Sequence, residues 1–578
     1  KNFVKLLPST TTCVLSDNGE KDLNARITFS TYQTMINFID TDSKPFSVGR
    51  FDLIIIDEAH RSIFGKYGAI FNYFDSMLVG LTATPRDEVE KSTYDIFEME
   101  QGVPNYAYEL EDAVSEGYLV NYNGFKRGSM ILKEGIKYAN LTDEQKQQME
   151  QIWEYESSLK GIQKTIDDHS SARDIANNEI FKYIFNINTI DAVLQDLMEN
   201  GLKVQYGERI GKTIIFAYNH PHAELIVERF HILYPEYGSE FCVLIDRYVT
   251  YSQDLIDKFE VRDNNPQIAV SVDMLDTGID VPDVLNLVFF KPVKSKIKFM
   301  QMIGRGTRLS PDIFGGGKDK ECFFIFDWCR NFEYFEKNPN GKMAKESISL
   351  TERIFGLRAD IAFHLQHQKY QEDEYCRSLH NELKDILKEQ VMALSDSHIS
   401  VRSKWEEVSH FKNEDVWLSL SEVDVHTLKI DIAPLLPKNT LEPTAKMFDA
   451  LMLAIELSYV DDEFNADKKI AQVKNVAGIL VEKKATLPQV QAKMATLKEV
   501  LSLVAWENVS LGWLEKVRKD LRELMQFLVG EKSKKFVIDI QDVITDDGEA
   551  EGVQMRVSYK QRIIDFLANN RNLPVLKK

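Results

Sequence analysis

No apolar stretch of this sequence approaches the roughly 20 residues that a membrane-spanning helix needs. Cysteine is scarce, and the five residues present include no CxxC pair, which argues against a zinc site and favours reduced thiols. Together these absences predict a cytoplasmic protein without a membrane segment.

The sequence also lacks an excess of basic residues, because 90 acidic residues against 70 basic ones give a net charge of −20. This balance excludes a passive basic coat for nucleic acid. It is compatible with a DNA motor, whose phosphate contacts are local and often come from backbone N–H groups. At about 150 residues per domain, the length predicts roughly three to five domains.

A run of four apolar residues, 53–56, ends in the polar cluster Asp57-Glu58-Ala59-His60. The run predicts a buried strand of a parallel sheet, and the cluster falls at its carboxyl end, where open α/β sheets bind ligands. Two adjacent carboxylates suit nucleotide hydrolysis, because Asp57 can hold Mg²⁺ while Glu58 orients or deprotonates the attacking water. A buried strand capped by a solvated Asp-Glu turn explains these letters about equally well.

Hydroxyl-rich turns stand before and after this cluster. A β-branched strand at 26–30 leads through Thr31, Tyr32 and Gln33 into a helix, where hydroxyls and free N–H groups suit a nucleic-acid phosphate. A Ser/Thr helix cap is the simpler explanation of the same residues. A helix at 63–74 and a strand at 77–85, which ends in Thr82 and Thr84, complete a βαβ unit.

A second α/β series follows a charged, helical stretch. Its predicted strands are 212–217, 241–245, 267–272, 285–290 and 321–327, and its predicted helices are 221–234, 252–259 and 296–309. Such regular alternation predicts a second doubly wound domain.

Two stretches of this second series carry chemistry. Residues 271–282 leave a strand and place Gly278 and Asp280 in a tight loop. The sequence QMIGRGTR puts Arg305 and Arg308 three residues apart, on one face of the predicted helix, where both guanidiniums could neutralise charge on a γ-phosphate. An isolated RGTR fits a basic, salt-bridged helix end, but its order after DEAH and TATP favours the arginine pair.

The series ITFSTYQT, DEAH, TATP, KTIIFA, VSVDMLDTGIDVP and QMIGRGTRLS resembles motifs Ib, II, III, IV, V and VI of a superfamily 2 helicase. The long form DEAHRSIFGKYGAIFNYFDSMLVGLTATP, with residues 108–120 behind it, is similar to one family in particular. That family is the restriction (motor and endonuclease) subunit of type I restriction-modification enzymes. The resemblance covers residues 25–335.

The resemblance implies two RecA-like parallel-sheet domains followed by a mostly α-helical C-terminal region. It implies ATP and Mg²⁺ as cofactors, with Asp57 on the metal and Glu58 as the catalytic base. By the same resemblance, His60, Thr82 and Thr84 couple the nucleotide state to the grip on DNA, and Thr31, Tyr32 and Gln33 contact the DNA. Gly278 and Asp280 contact the nucleotide. Gln301, Arg305 and Arg308 complete the ATP site.

The sequence departs from the family at the phosphate-binding loop. Before residue 25 there is no GxxxxGK[ST], whose Lys and backbone N–H groups cradle the β- and γ-phosphates. The stretch 207–213 imitates it but has three residues between its glycines and leads into a strand, so we reject it. The family's nuclease domain is also missing, and we therefore expect an N-terminally truncated fragment that hydrolyses ATP poorly alone.

These patterns divide the chain into four predicted segments. Residues 1–120 are the C-terminal part of the first motor domain, 121–195 a helical connecting segment, 196–335 the second motor domain and 336–578 a helical C-terminal domain. The resemblance implies that the helical domain docks onto the modification (methyltransferase) and specificity subunits. Intramolecular packing explains its amphipathic helices equally well.

The implied function is ATP-dependent translocation of double-stranded DNA, as the motor of a type I site-specific deoxyribonuclease that cleaves far from its recognition site. One alternative is another superfamily 2 DNA or RNA helicase, which shares the motifs but not the flanking segments. A second is a non-catalytic scaffold that only binds nucleic acid, although the presence of Glu58, Arg305 and Arg308 counts against it.

Overall fold

The structure is a computed structural model that describes residues 5–15, 22–40, 45–59, 67–82, 87–88, 91–92, 97, 99–100, 104–137, 141–146, 184–276, 278–339, 341, 348–437, 442–461, 466–528 and 536–550. The chain divides into two compact units. Unit 1 consists of Lys1–Asn105, Tyr155–Lys164 and Glu346–Glu531, and unit 2 of Tyr106–Glu154, Thr165–Lys345 and Lys532–Lys578.

The N-terminal part of unit 1 is built from short strand pairs, two parallel and one antiparallel, in the residues that the structure describes. Its strands are β1 (Thr12–Val14), β2 (Ile27–Phe29), β3 (Leu53–Ile56), β4 (Met77–Gly80), β5 (Asp87–Glu88) and β6 (Lys91–Ser92), and its helices are α1 (Tyr32–Ile39) and α2 (Gly68–Tyr73). β1 pairs in parallel with β2, and β3 in parallel with β4. The predicted order of strand, helix and strand around the DEAH letters is therefore confirmed.

The predicted burial of the DEAH strand is wrong for half of its residues. Ile56 is buried, whereas the side chains of Leu53 and Ile55 are 46% and 56% exposed. Successive residues of a strand point to opposite faces of the sheet. Only one face of β3 packs against the apolar core in the described part of unit 1, so an apolar run did not mean burial on both sides.

Unit 2 is built around one sheet of seven strands, in the order β12-β13-β11-β14-β15-β7-β17. The strands of the unit are β7 (Asn121–Ser129), β8 (Ile184–Asn186), β9 (Lys203–Val204), β10 (Arg209–Ile210), β11 (Lys212–Ala217), β12 (Cys242–Leu244), β13 (Ile268–Ser271), β14 (Val284–Phe290), β15 (Cys322–Asp327), β16 (Phe536–Ile538) and β17 (Ile544–Ala550). Its helices are α3 (Leu110–Ser115), α4 (Met130–Glu134), α5 (Ile187–Asn200), α6 (His220–Leu233), α7 (Ser252–Phe259), α8 (Lys296–Ile303) and α9 (Asn331–Lys337).

The central strands of this sheet explain the apolar runs in the sequence. Every residue of β11 and β14 is buried, because apolar cores cover both faces of the sheet. Parallel strands covered by helices on both sides require this composition. The predicted doubly wound domain is therefore confirmed, with β11 and α7 at the bounds predicted for them.

The edge of the sheet differs from prediction at two places. Residues 121–129, expected in a helical connecting segment, form β7, which pairs in parallel with β15. Residues 544–550, expected in a helical domain, form β17, which pairs antiparallel with β7. β15 is consequently an inner strand rather than the last one, and the part of the predicted connecting segment at 147–183 lies outside the described residues.

The helical part of unit 1 begins at residue 350. Its α-helices are α10 (Leu350–Leu365), α11 (Gln368–Gln371), α12 (Glu374–Met392), α13 (Ile399–Arg402), α14 (Trp405–Lys412), α15 (Glu422–Thr427), α16 (Pro443–Val460), α17 (Asp467–Lys483), α18 (Pro488–Gln491), α19 (Met494–Leu501), α20 (Leu503–Glu507) and α21 (Leu511–Leu521). They enclose two apolar cores, and α16 contributes to both. The predicted helical region is confirmed over these residues.

Helical and α/β parts of unit 1 share one core. Ile399 of α13 belongs to the apolar cluster of the N-terminal strands. Asp40, which follows α1, accepts hydrogen bonds from the Ile399 N–H at 2.5 Å and from the Ser400 hydroxyl at 2.8 Å. Intramolecular packing therefore accounts for part of the apolar surface of these helices.

The cysteines and the helices agree with the composition. All five cysteines are free thiols. Among the residues that the structure describes, no helix combines the length and the apolar character needed to cross a membrane.

Candidate functional site

The two predicted catalytic carboxylates follow β3 in a tight turn. Glu58 has φ +52°, a left-handed backbone conformation that non-glycine residues seldom adopt. Its N–H donates to Oδ1 of Asp57 at 3.0 Å. Residues in this region of backbone space cost about 1–3 kcal/mol and persist only where their surroundings hold them, which is typical of functional turns.

Tyr32 contacts this turn from the start of α1. Its hydroxyl donates to the backbone carbonyl of Asp57 at 3.3 Å. Burial, followed by the charges of Asp57 and Glu58, raises the pKa of the Tyr32 hydroxyl to about 12, so the group remains a donor at neutral pH. This contact was not predicted from the sequence, where Tyr32 was placed only with the DNA-facing residues.

The other two predicted DNA-facing residues also have partners within unit 1. Thr31 is the N-cap of α1, and its hydroxyl accepts the Thr34 N–H at 3.1 Å, as the simpler explanation of this turn expected. The Gln33 amide donates to Asn37 at 2.9 Å and accepts the Tyr67 hydroxyl at 2.7 Å. Thr31 remains exposed, so capping leaves it open to solvent.

The end of β4 lies beside the same turn. The Ala59 N–H donates to the carbonyl of Leu81 at 2.9 Å, and the Leu81 N–H donates to Ile56 at 2.8 Å. Thr82 therefore follows directly on a residue bonded to the carboxylate turn. His60 and Thr84 lie outside the described residues.

In unit 2, the loop after β13 is anchored by Lys291. The ammonium group of this buried lysine contacts the Val272 carbonyl, Oδ1 of Asp273 at 3.3 Å and Oδ2 of Asp276 at 3.4 Å. Burial raises the pKa of Asp276 against the opposing effect of Lys291. Burial also acts to raise the pKa of Asp273, but Lys291 and Lys298 outweigh it and lower that pKa.

Gly278 and Asp280 lie farther along this loop. Gly278 has φ +82° and no heavy atom within 4 Å of the place where a Cβ would lie, so backbone conformation rather than crowding requires glycine there. The Asp280 side chain is about half exposed.

The two predicted arginines do not lie on a helix. α8 ends at Ile303, and a turn carries Arg305 while Arg308 forms an isolated β-bridge with Leu119. Glycine weakens a helix, and the Thr307 carbonyl instead accepts the Val120 N–H at 2.8 Å. The helical spacing argument for this pair is therefore wrong.

Both arginines nevertheless meet the loop after β13. The Arg305 guanidinium donates to the Ile279 carbonyl at 2.6 Å and to the Gln301 carbonyl at 3.2 Å. The Nε of Arg308 lies 3.6 Å from Oδ1 of Asp280, and both side chains are about half exposed. This loop therefore contacts both arginines through tertiary contacts, with Arg305 on its backbone and Arg308 beside Asp280, rather than through helix periodicity.

The stretch 207–213, which imitates a phosphate-binding loop, has a structural role. It leads through β10 directly into the strand β11 rather than into a helix. Lys212 is 2% exposed and donates to the carbonyls of Asn264 at 2.8 Å and Pro266 at 3.1 Å. Burial lowers its pKa to about 8. These bonds occupy the amine within the fold, which supports the rejection.

The donor set of the carboxylate turn fits a hard divalent cation. Mg²⁺ is usually held by one or two carboxylates plus waters and substrate phosphates, so a single well-placed aspartate suffices. Asp57 has one oxygen bonded to a backbone N–H and meets this requirement. Within the described residues there is no group of three or more His, Cys, Asp or Glu side chains that could hold a metal without such substrate ligands.

Comparison with protein families identifies both halves of the motif series. The family described as "Type III restriction enzyme, res subunit" matches residues 1–87, which contain the carboxylate turn. The family "Helicase conserved C-terminal domain" matches residues 192–310, which contain the arginines and the loop. Each match covers less than half of this chain, and together they show similarity to a restriction-enzyme family and a helicase family in the order of the motif series.

Individual proteins that are similar in sequence include restriction-enzyme subunits and a DNA translocase. The endonuclease subunit of the type I restriction enzyme EcoKI from Escherichia coli K12 is 27% identical over 343 residues, which cover 54% of this chain and 27% of that protein. The corresponding EcoAI subunit from E. coli is 30% identical over 297 residues, covering 49% and 32%. The DNA 3'-5' translocase XPB2 of Sulfurisphaera tokodaii is 23% identical over 318 residues, covering 50% and 62%.

A solved fragment of an HsdR subunit of a type I restriction enzyme from Vibrio vulnificus superimposes with a TM-score of 0.38 at 22% identity, covering 58% of this chain and 56% of that one. Over about half of its length, the chain is similar in sequence to the endonuclease subunits of type I restriction enzymes. It spans 27% and 32% of the length of the two E. coli subunits.

Proposed function

We propose that this chain is the ATP-driven motor part of a type I restriction enzyme and moves along double-stranded DNA in the cytoplasm. The observation that carries the proposal is the convergence of Asp280, Arg305 and Arg308 on one loop in a domain that follows an adjacent Asp57-Glu58 pair. Matches to restriction-enzyme and helicase families in the same order support it.

In this proposal the chain's carboxylates and arginines have separate roles in ATP hydrolysis. Asp57 holds Mg²⁺, which supplies charge neutralisation at the phosphates. The Glu58 carboxylate orients water and takes its proton. Arg305 and Arg308 supply positive charge as negative charge develops on the phosphate oxygens. A backbone phosphate cradle is not among the described residues, so the proposal assigns none.

We also propose that the motor works with partner subunits. The modification and specificity subunits of the same enzyme provide site recognition, and the motor draws DNA toward a separate nuclease active site. The similarity to type I endonuclease subunits supports this assignment. The helices α10–α21 are the proposed docking region for the partner subunits.

The test is Mg²⁺-dependent ATP hydrolysis with and without linear duplex DNA, measured for the chain and for Glu58→Gln. We expect a low rate, because no GxxxxGK[ST] loop stands before residue 25, but one that duplex DNA raises without separating strands. Glu58→Gln should abolish the stimulated rate. The substitution removes the base but keeps the size of the side chain, so duplex binding by fluorescence anisotropy should be unchanged. Failure of the chain to bind duplex DNA would contradict the proposal.

A second candidate is a superfamily 2 DNA translocase that works outside restriction. The similarity to XPB2 favours it, because the alignment covers 62% of that protein. Binding of the chain to type I modification and specificity subunits, measured by co-purification, distinguishes the two candidates, since only the restriction motor needs these partners.

A further inference from the structure

We infer that Tyr32 is a positioning residue that transmits DNA contact to the backbone of the catalytic Glu58. The inference rests on the proposed function and names the route by which DNA binding regulates the carboxylate turn. It concerns one hydrogen bond, between the Tyr32 hydroxyl and the Asp57 carbonyl at 3.3 Å.

The peptide between Asp57 and Glu58 is bonded at both of its polar groups. Tyr32 donates to its carbonyl, and Oδ1 of Asp57 accepts its N–H at 3.0 Å. This same peptide leads into the left-handed φ of +52° at Glu58. Because that conformation is unfavourable for glutamate, the two hydrogen bonds help to decide where the Glu58 carboxylate is directed.

The two bonds differ in what else their donors and acceptors must do. The Asp57 carboxylate is the proposed Mg²⁺ ligand, and a cation would compete with the Glu58 N–H for its oxygen. The Tyr32 hydroxyl donates instead to the backbone carbonyl of Asp57, which is not a proposed metal ligand, so a cation at the carboxylate would not compete for this bond. Tyr32 is therefore the constant support of this peptide.

The position of the Tyr32 hydroxyl depends on the predicted DNA-facing segment. Thr31 caps α1 and Tyr32 is its first residue. The Tyr32 ring packs against Tyr67 and Phe71, with centroids 6.0 and 6.2 Å apart, and the Tyr67 hydroxyl also bonds Gln33 at 2.7 Å. Tyr32 and Gln33 thus both contact the same aromatic cluster. A DNA phosphate that shifts or orders residues 31–33 therefore changes the position of the Tyr32 hydroxyl.

A purely structural role makes a different prediction. If Tyr32 only fills space, removal of its hydroxyl changes stability but leaves the response of the carboxylate turn to DNA intact. If it transmits DNA contact, the same change removes that response even when duplex DNA saturates the protein.

The experiment compares Tyr32→Phe with Tyr73→Phe in the full chain. Tyr73 is a matched control, because its hydroxyl also donates to a backbone carbonyl in unit 1, that of Phe46 at 2.6 Å. Among the described residues, no hydrogen bond joins Tyr73 to the carboxylate turn. Amide hydrogen exchange of residues 53–59 is measured with and without linear duplex DNA, alongside duplex affinity by anisotropy.

We expect duplex DNA to slow exchange in residues 53–59 about fivefold or more in the wild type and in Tyr73→Phe, a typical size for coupling between sites. With duplex DNA at a concentration that saturates each variant, Tyr32→Phe should show no slowing, and the DNA stimulation of ATP hydrolysis should fall about fivefold. Equal slowing in Tyr32→Phe overturns the inference and leaves the proposed function standing. A wild type that does not bind duplex DNA overturns the proposed function itself.

Discussion

Lys291 and Asp276 form a buried ion pair, with Nζ and Oδ2 3.4 Å apart, at the base of the loop that carries Gly278 and Asp280. Their side chains are 9% and 5% exposed. The same ammonium group contacts the Val272 carbonyl where β13 ends. One lysine at the end of β14 therefore holds the first part of this loop, from Val272 to Asp276.

Lys291→Met should destabilise unit 2 by about 3 kcal/mol, because removing one partner of a buried pair leaves an uncompensated carboxylate. Denaturant unfolding measures the change. Lys294→Met is the matched control, since Lys294 is exposed on the same segment and its replacement should stay within about 0.5 kcal/mol. Similar values for both variants would mean that the ion pair does not hold the loop.

Arg308→Ala should leave the free energy of unfolding within about 0.5 kcal/mol of the wild type, because its pair with Asp280 is exposed to solvent. Under the proposed function, kcat for ATP hydrolysis should nevertheless fall about 10³-fold. Arg353→Ala, which alters an exposed arginine of α10, serves as the control and should change neither quantity. Loss of stability in parallel with loss of activity would assign Arg308 a structural role.

Gly306→Ala should destabilise unit 2 by about 1–3 kcal/mol, because overpacking of a tight site forces neighbours to move. A Cβ at this position would lie 2.2 Å from the Phe323 ring of β15. Gly304→Ala introduces the same methyl group two residues earlier, where the nearest atom is a carbonyl oxygen at 3.3 Å. Thermal unfolding of the two variants should therefore show the larger loss for Gly306.

Unit 2 should become more stable as the pH rises above 7, because of Lys320. Burial lowers the pKa of this lysine from its ordinary 10.5 to about 7. The unfolded chain thus binds the proton more tightly than the folded one between these two values, and stability increases with pH across that window and levels off below it. The gain between pH 7 and 8 is about 1 kcal/mol.

Lys320→Met provides the check on this pH dependence. The amine donates to the carbonyls of Pro282 and Val284, so the variant should be less stable overall. In Lys320→Met the free energy of unfolding should no longer increase by about 1 kcal/mol between pH 7 and 8. Lys212, with a pKa of about 8, contributes a smaller increase over the same interval. An unchanged slope in that interval would contradict the assignment to Lys320.

Sequence patterns predicted the elements whose own composition shows how they are buried. They failed for elements whose structure depends on strands far away in the chain. β11 and α7 were predicted at their observed bounds, because a fully buried strand and an amphipathic helix each have a distinctive composition. β7, with the sequence NYNGFKRGS, is polar, and it becomes a strand because β15 and β17 pair with its two sides.

The candidate site shows the same division. The order of the motifs in the chain was enough to select Asp57, Glu58, Arg305 and Arg308 as candidate site residues. The contact between Tyr32 and the Asp57 carbonyl joins residues 25 positions apart, and the anchor at Lys291 joins two separate strand ends. Such contacts depend on how strands are placed side by side, which local periodicity does not encode.

The late position of β17 in the chain has a consequence for synthesis on the ribosome. β7 emerges early and pairs with β15, but its other edge stays unpaired until Ile544–Ala550 has been translated, after the whole helical part of unit 1. An unpaired strand edge invites association with other chains. The nascent protein therefore passes through a stage at which a chaperone, or slow elongation, would protect this edge from neighbouring nascent chains.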